Sequence, residues 1–425
     1  MAAIFLALRV LLACRAVRAA VDARGAGCQD ARALTVRPDA RAFTVRQDAR
    51  AGSALAEVRL HRRSAGNATG LPPFCSTPLA HKGYRCMQMP GVQASTGEIL
   101  LVQQDLGDGS GQAQLVAKVF AGEMSEPDVW NHTQAVLEHF RAPKFQPYFV
   151  QTTVTGTWSE TLVSGGPATT RAYYIMERAD GTLGDMRPGR FRRDGLEYAR
   201  QMLCVLKLLD DDGMVHTDIK PANILIFKNQ EGPHTLKVAD YDSAFKVDAG
   251  AGDELREVVN SYTLLSPEII RSKVCWPGQK NFTHKNDVHT LGQTLLAAAG
   301  GAKTADRLAE DQDDIDSRIR AKRRLLQYVN PAAEAGAPCH SGVHAEAARA
   351  LAKSVDDMVN ERWNDTTVHR VIERALLGSW RLPRLRRLAV VLRSMLALHP
   401  ELRCSAKQCL KIAGYGPDRD CPAAS

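Results

Sequence analysis

Residues 213–227 read GMVHTDIKPANILIF, and His216 to Asn223 within them spell HTDIKPAN. A polar run ends abruptly in Ile224-Leu225-Ile226-Phe227, an apolar β-branched segment with strand character. Three chemically distinct groups sit close together just before that strand. Asp218 is an acceptor for the proton of an attacking hydroxyl. Lys220, two residues on, reaches the same side and carries a positive charge. Asn223, five residues after Asp218, offers an amide oxygen to a hard cation. A plain polar turn before a strand needs none of these groups at these spacings.

Two further segments complete the pattern. Residues 237–245 (KVADYDSAF) place Asp240 at the end of a short apolar strand, seventeen residues after Asn223. Leu115-Val116-Ala117-Lys118 places a lysine one hundred residues before Asp218. The three segments resemble the H-x-D-x-K-P-x-N catalytic loop, the D-F-G motif and the V-A-I-K strand of eukaryotic-type Ser/Thr protein kinases. The resemblance covers residues 83–415. It implies an α+β fold of two lobes: a small β-rich N-lobe over 83–177 and a larger α-helical C-lobe over 178–415, with an insert at about 300–380 and a tail over 416–425. It also implies ATP with Mg²⁺ or Mn²⁺, and protein substrates bearing Ser or Thr hydroxyls.

Residue by residue, the resemblance makes Asp218 and Lys220 catalytic and Asn223 and Asp240 metal ligands. Lys118 is expected on the α/β-phosphates, steadied by a helix-borne acid, for which Glu138 stands twenty residues on. Met176 and Glu177 match the gatekeeper and first hinge residue, the latter offering its backbone to adenine. His216 and Tyr241 complete the catalytic-loop and D-F-G patterns. Ser266-Pro267-Glu268 stands where A-P-E closes the activation segment, and Ser261 precedes Glu268 by seven residues. Asp287 matches the aspartate that anchors the catalytic loop. Arg403 matches the arginine that pairs with Glu268. Lys220-Pro221 favours Ser/Thr over Tyr substrates.

The departures are equally specific. The glycine-rich loop should precede residues 98–103, where the chain reads GVQASTGEI (91–99). With Gly97 as the last glycine, Val92 and Ala94 stand where the first two belong, so the backbone cradle for phosphates is eroded. GDGSG (107–111) reads as hairpin turn chemistry. Thr217 replaces the arginine that commonly receives an activation-loop phosphate, which predicts activity without such phosphorylation. Asp242 replaces the D-F-G glycine, where it restricts flipping of the segment or tunes metal preference. The stretch EDQDDIDSRIRAKRR (310–324) reads as a charge-paired solvated helix or a docking insert.

The secondary-structure pattern supports two lobes. Residues 98–103 and 114–120 read as a hairpin, 148–153 and 172–177 as further strands, and 127–140 as a helix. Helical patterns then dominate, over 194–213, 286–298, 344–359 and 380–398.

Composition locates the charge. The chain has 425 residues and a net charge of +8, and twelve arginines against five acids within residues 1–65 carry +7 of it. The body is therefore near neutral, which argues against nucleic-acid binding. Residues 1–20 read as a secretory signal peptide, with an organelle transit peptide as the rival. Residues 21–70 are an Arg-rich leader holding the repeats DARALTVRP and DARAFTVRQ, read as a solvated disordered segment or as one that touches an anionic membrane surface. No run of about 20 apolar residues spans a membrane. Ten cysteines without CxxC spacing argue against zinc. In a secreted chain some of them pair, and the sequence leaves the connectivity open. Sequons begin at Asn67, Asn131, Asn281 and Asn364. A leader, an Arg-rich segment, an eroded glycine loop and retained catalytic residues resemble the secreted kinases of apicomplexan parasites, the rhoptry family and its with-no-Gly-loop relatives. An active kinase, a pseudokinase scaffold and a small-molecule kinase remain open as readings, and the oligomeric state is not legible.

Overall fold

Alternation along Gln112–Phe120 decides where the lysine points. Leu115, Ala117 and Val119 fall on one face of the strand, and Val116, Lys118 and Phe120 on the other. In the computed structural model the first set packs with Tyr84, Leu100, Val102, Tyr173 and Ile175 in one apolar cluster. Phe120 instead joins the main core with Ala172 and Tyr174. Lys118 thus shares the face that looks into the molecule. The structure describes residues 84–87, 93–94, 97–105, 112–120, 127–161, 168–247, 265–270, 282–301, 304, 353, 356–376 and 382–421.

The first lobe is an antiparallel sheet. Its strands are β1 (Tyr84–Met87), β2 (Gln93–Ala94), β3 (Gly97–Asp105), β4 (Gln112–Phe120), β5 (Thr152–Thr161) and β6 (Ala168–Glu177), ordered β1-β3-β4-β6-β5 with β2 on β3. Lys118 lies opposite Ile99 of β3 and Tyr174 of β6. One helix, α1 (Pro127–His139), follows β4, and its Trp130 meets Phe120 edge-on at 6.0 Å. The strand expected over 148–153 begins only at Thr152. Before it, a 3-10 turn over Pro143–Phe145 buries Phe145, and Phe149 makes an isolated parallel bridge to Val238. The apolar run 148–150 is spent on the junction between lobes rather than on the sheet.

The second lobe is mostly helical. β7 (Gly181–Thr182) precedes α2 (Pro188–Asp211); it joins β9 (Ile224–Phe227) and β10 (Thr235–Val238) in a small sheet ordered β10-β9-β7, while β8 (Met214–Val215) pairs with β11 (Phe245–Lys246). Helices α3 (His284–Gly300), α4 (Asp365–Ala375), α5 (Pro383–Met395) and α6 (Ala406–Ala413) complete it. α2 begins six residues before the expected 194, because Pro188 at its first position presets the helical φ. Past its end, Gly213 takes φ +65° and turns the chain into β8. α3 is buried along almost its whole length, and the Thr283–Asn286 capping box starts it. Most of 300–380, including most of the helix expected over 344–359, lies outside the described residues.

α2 approaches α5 closely at Gly195. A Cβ there would lie 2.9 Å from the Phe191 ring and 3.1 Å from Leu388. Gly195→Val is expected to cost about 1–3 kcal/mol through overpacking, read as a lower urea midpoint.

Two disulfides staple the helical lobe, Cys204–Cys421 across 217 residues and Cys404–Cys409 across the start of α6. Among the described residues no helix is long and apolar enough to cross a membrane.

Candidate active site

The catalytic loop is suspended from one carboxylate. Asp287, near the start of α3, accepts the His216 N–H at 2.7 Å on one oxygen and the Thr217 N–H at 3.0 Å on the other. Between them these bonds hold Thr217 at φ +70°, a conformation that a β-branched residue adopts only under constraint. The Thr217 hydroxyl donates to the Ser243 carbonyl at 3.3 Å, and the Ser243 hydroxyl donates to the His216 carbonyl at 3.2 Å. The residue that replaces an arginine therefore ties the catalytic loop to the segment after Asp240. His216 is fully buried, and its Nε2 lies 3.3 Å from the Ala239 carbonyl.

The bend brings the three expected groups together. Lys220 Nζ donates to Asp218 Oδ2 at 2.8 Å, and Asn223 Nδ2 donates to the same oxygen at 2.9 Å. Asn223 also donates to the Asp218 carbonyl at 2.9 Å. Its amide nitrogen is thereby committed inward, which turns its carbonyl oxygen away from Asp218. The Ala239 N–H donates to the Asn223 carbonyl at 2.8 Å, which aligns the metal-ligand positions of the two motifs.

Asp240 sits at φ +61°, in the left-handed region. Tyr241, beside it, packs its ring against Phe140 and Phe149 at 4.8 and 5.9 Å, and its hydroxyl donates to the Val150 carbonyl at 2.8 Å. Tyrosine in place of phenylalanine thus adds an anchor to the usual packing ring. Tyr241→Phe keeps the ring and loses about 1 kcal/mol, measured as a reduced denaturant midpoint.

Lys118 reaches Asp240 and, at 2.7 Å, Asp242. Its side chain is 4% exposed, against 32% for Asp240 and 8% for Asp242. Burial alone would push the ammonium down, but Asp242 and Asp240 outweigh it and hold Lys118 charged, well above the ordinary lysine value. Burial likewise opposes ionisation of Asp240, and Lys118 overcomes it and holds that carboxyl below the ordinary range.

Glu138 is not the partner of Lys118. It is 71% exposed and binds Arg141 at 2.7 Å, a neighbour one helical turn away. Its position at the end of α1 leaves it outside the cleft. Among the described residues the carboxylates that meet Lys118 are those of Asp240 and Asp242. Met176 is half-buried on the core edge. Glu177 uses its N–H on the Gln151 carbonyl at 3.1 Å and its carboxylate on Lys237 at 2.7 Å. Arg403 is fully buried and binds Glu268 bidentately at 2.7 and 3.1 Å. Ser261 lies outside the described residues.

The donor set suits a hard cation. Asp240 contributes a carboxylate and Asn223 an amide oxygen, both ligand types that Mg²⁺ and Mn²⁺ accept. Among the described residues no group of three or more His, Cys, Asp or Glu is arranged as a metal cage. Two protein oxygens match a cation that takes its remaining ligands from phosphate and water.

A bilobal α+β fold with this cluster in its cleft defines a phosphotransferase-type catalytic core. The protein kinase domain model matches residues 163–413, more than half of the chain, and the chain belongs to that family. The match begins after β5, so Lys118 and its strand precede it. The chain is 32% identical over 129 residues to the serine/threonine-protein kinase RAD53 of Saccharomyces cerevisiae, covering 29% of this chain and 15% of that protein. It is 25% identical over 222 residues to the serine/threonine-protein kinase chk-1 of Caenorhabditis elegans, covering 49% and 41%. It is 35% identical over 102 residues to mitogen-activated protein kinase kinase kinase 3 of Arabidopsis thaliana, covering 24% and 15%. The chain thus spans less than half the length of each of these relatives.

Proposed function

We propose that the chain is an ATP-dependent protein kinase that phosphorylates Ser and Thr hydroxyls. The observation that carries this reading is the convergence of Lys220 and Asn223 on Asp218 Oδ2. Asp218 orients the attacking hydroxyl and takes its proton. Lys220, held against Asp218, offsets charge on the transferring group. Lys118 binds the α/β-phosphates, and Asp240 and Asn223 hold the cation. The cation, when bound, neutralises charge building on the phosphate oxygens. The eroded loop at Val92 and Ala94 shifts the phosphate-holding task to Lys118 and the cation, and it keeps a pseudokinase as the competing reading.

The finer reading is a secreted kinase of the apicomplexan rhoptry type. Residues 1–20 as a signal peptide and the two disulfides of the helical lobe support an oxidising compartment. The Arg-rich leader supports contact with an anionic membrane surface.

The test is the purified full chain with Mg²⁺, labelled ATP and a generic basic protein, beside Asp218→Ala. The expected result is Ser/Thr-bound label that falls about 10²–10⁴-fold in the variant. Equal label from both proteins rejects the kinase reading, and nucleotide binding without transfer selects the pseudokinase.

A further inference from the structure

Lys118 is the buried cation of the nucleotide site, and a buried cation needs a fixed counter-charge. The expected source, Glu138, faces solvent on α1. Two acids from one short segment meet Lys118 instead, and they are not equivalent. Asp240 is 32% exposed and belongs to the donor set for the cation. Asp242 is 8% exposed, and its Oδ2 accepts from Lys118 at 2.7 Å. Its other oxygen, Oδ1, is buried with no hydrogen-bond partner among the described residues. Buried polar oxygens are rarely left so, and a carboxylate in this state depends on a single cation for compensation. Lys118 and Asp242 are therefore a dedicated pair, while Asp240 has a second claim on it.

The backbone permits the arrangement. The family places a glycine at position 242, yet among the described non-glycine residues only Thr217 and Asp240 take positive φ. Asp242 carries its side chain without left-handed strain. Tyr241, pinned to the Val150 carbonyl at 2.8 Å, fixes the residue just before it.

We infer that Asp242 is a positioning residue for nucleotide binding: it holds Lys118 towards the phosphates, in place of a helix-borne glutamate, and frees Asp240 for the cation. Without Asp242, Lys118 leans wholly on Asp240 and competes with the cation for it. The position of Lys118 is then set by the Asp240–Asp242 segment and not by α1. The inference rests on the kinase reading for its nucleotide and on the Lys118 geometry for its mechanism.

The experiment titrates the full-length wild type, Asp242→Asn, Asp242→Glu, Lys118→Met and Lys118→Met/Asp242→Asn with the fluorescent nucleotide mant-ATP at several Mg²⁺ concentrations. It also records melting without nucleotide. Asp242→Asn is expected to weaken mant-ATP about tenfold or more and to raise the Mg²⁺ needed for half-saturation. Asp242→Glu retains affinity within about threefold. In the Lys118→Met background, Asp242→Asn costs no further affinity and raises the melting temperature, because it removes a stranded carboxylate. Unchanged mant-ATP affinity in Asp242→Asn, or losses that add in the double variant, overturn the inference. Melting lowered equally by Asp242→Asn in both backgrounds also overturns it, because that marks a purely structural residue. Wild type that binds mant-ATP without transferring phosphate overturns the kinase reading alone, and wild type that binds none overturns both.

Discussion

Arg403→Met is expected to lower folding stability by about 3–5 kcal/mol, the scale for breaking a buried ion pair by removing one partner. The guanidinium is fully buried and satisfies more than Glu268. It donates to the Lys285 carbonyl at 2.7 Å and to the Ala397 carbonyl at 3.1 and 3.2 Å. Methionine has similar reach and none of those donors, so one carboxylate and two carbonyls lose their partner together. Glu268 keeps one compensation, the Asn286 amide at 2.6 Å. Glu268→Gln alone should therefore cost less, and the pair Glu268→Gln/Arg403→Met should cost less than the sum. Urea midpoints of the four proteins measure this, and additive losses would show that the two residues act independently.

The second large effect falls on activity. Asp287→Asn replaces one of two acceptor oxygens with an amide that faces the His216 or Thr217 N–H. A repulsive donor pair then sits where the loop is most constrained, at Thr217 with φ +70°. The stability loss is about 1–3 kcal/mol. Phosphoryl transfer should fall further, about 10²-fold, because the Asp218 cluster shifts as a unit and small misplacements are costly. Steady-state assays at saturating ATP check this. The loss is expected in kcat, with the KM for ATP moved little, since Lys118 is anchored elsewhere.

The legible parts of this molecule are those where chemistry and spacing are local. Asp218, Lys220 and Asn223 lie within one short loop, and the fold only needed to bend it. Lys118 could be aimed from strand parity alone, because its neighbours Ala117 and Val119 are apolar and a strand has two faces. The pairing of Arg403 with Glu268, 135 residues apart, was reachable through family resemblance and not through spacing. The partner of Lys118 was not legible. It lies 124 residues away, at a position where the pattern calls for glycine, whereas Glu138 offered a nearer acid of the right type. Proximity in sequence misled because α1 is short and ends at His139, turning Glu138 outward. The Thr217–Ser243 link was missed for a similar reason: a small hydroxyl in place of an arginine reads as a loss, and the compensating contact is tertiary. The disulfides were illegible because scattered cysteines admit many pairings, and only packed helices select among them.

The Cys204–Cys421 bridge also sets an order of events during synthesis. Cys204 lies on α2, and its partner emerges 217 residues later. At a typical 5–20 residues per second, roughly 10–40 s separate the two thiols. Through that interval Cys204 must stay unpaired while Cys275, Cys339, Cys404 and Cys409 pass by as wrong partners. In the folded protein the Cys204 side chain is fully enclosed in the α2 core. A host that oxidises thiols slowly, or that supplies a disulfide isomerase, should therefore yield more correctly bridged protein than one that oxidises them as they appear.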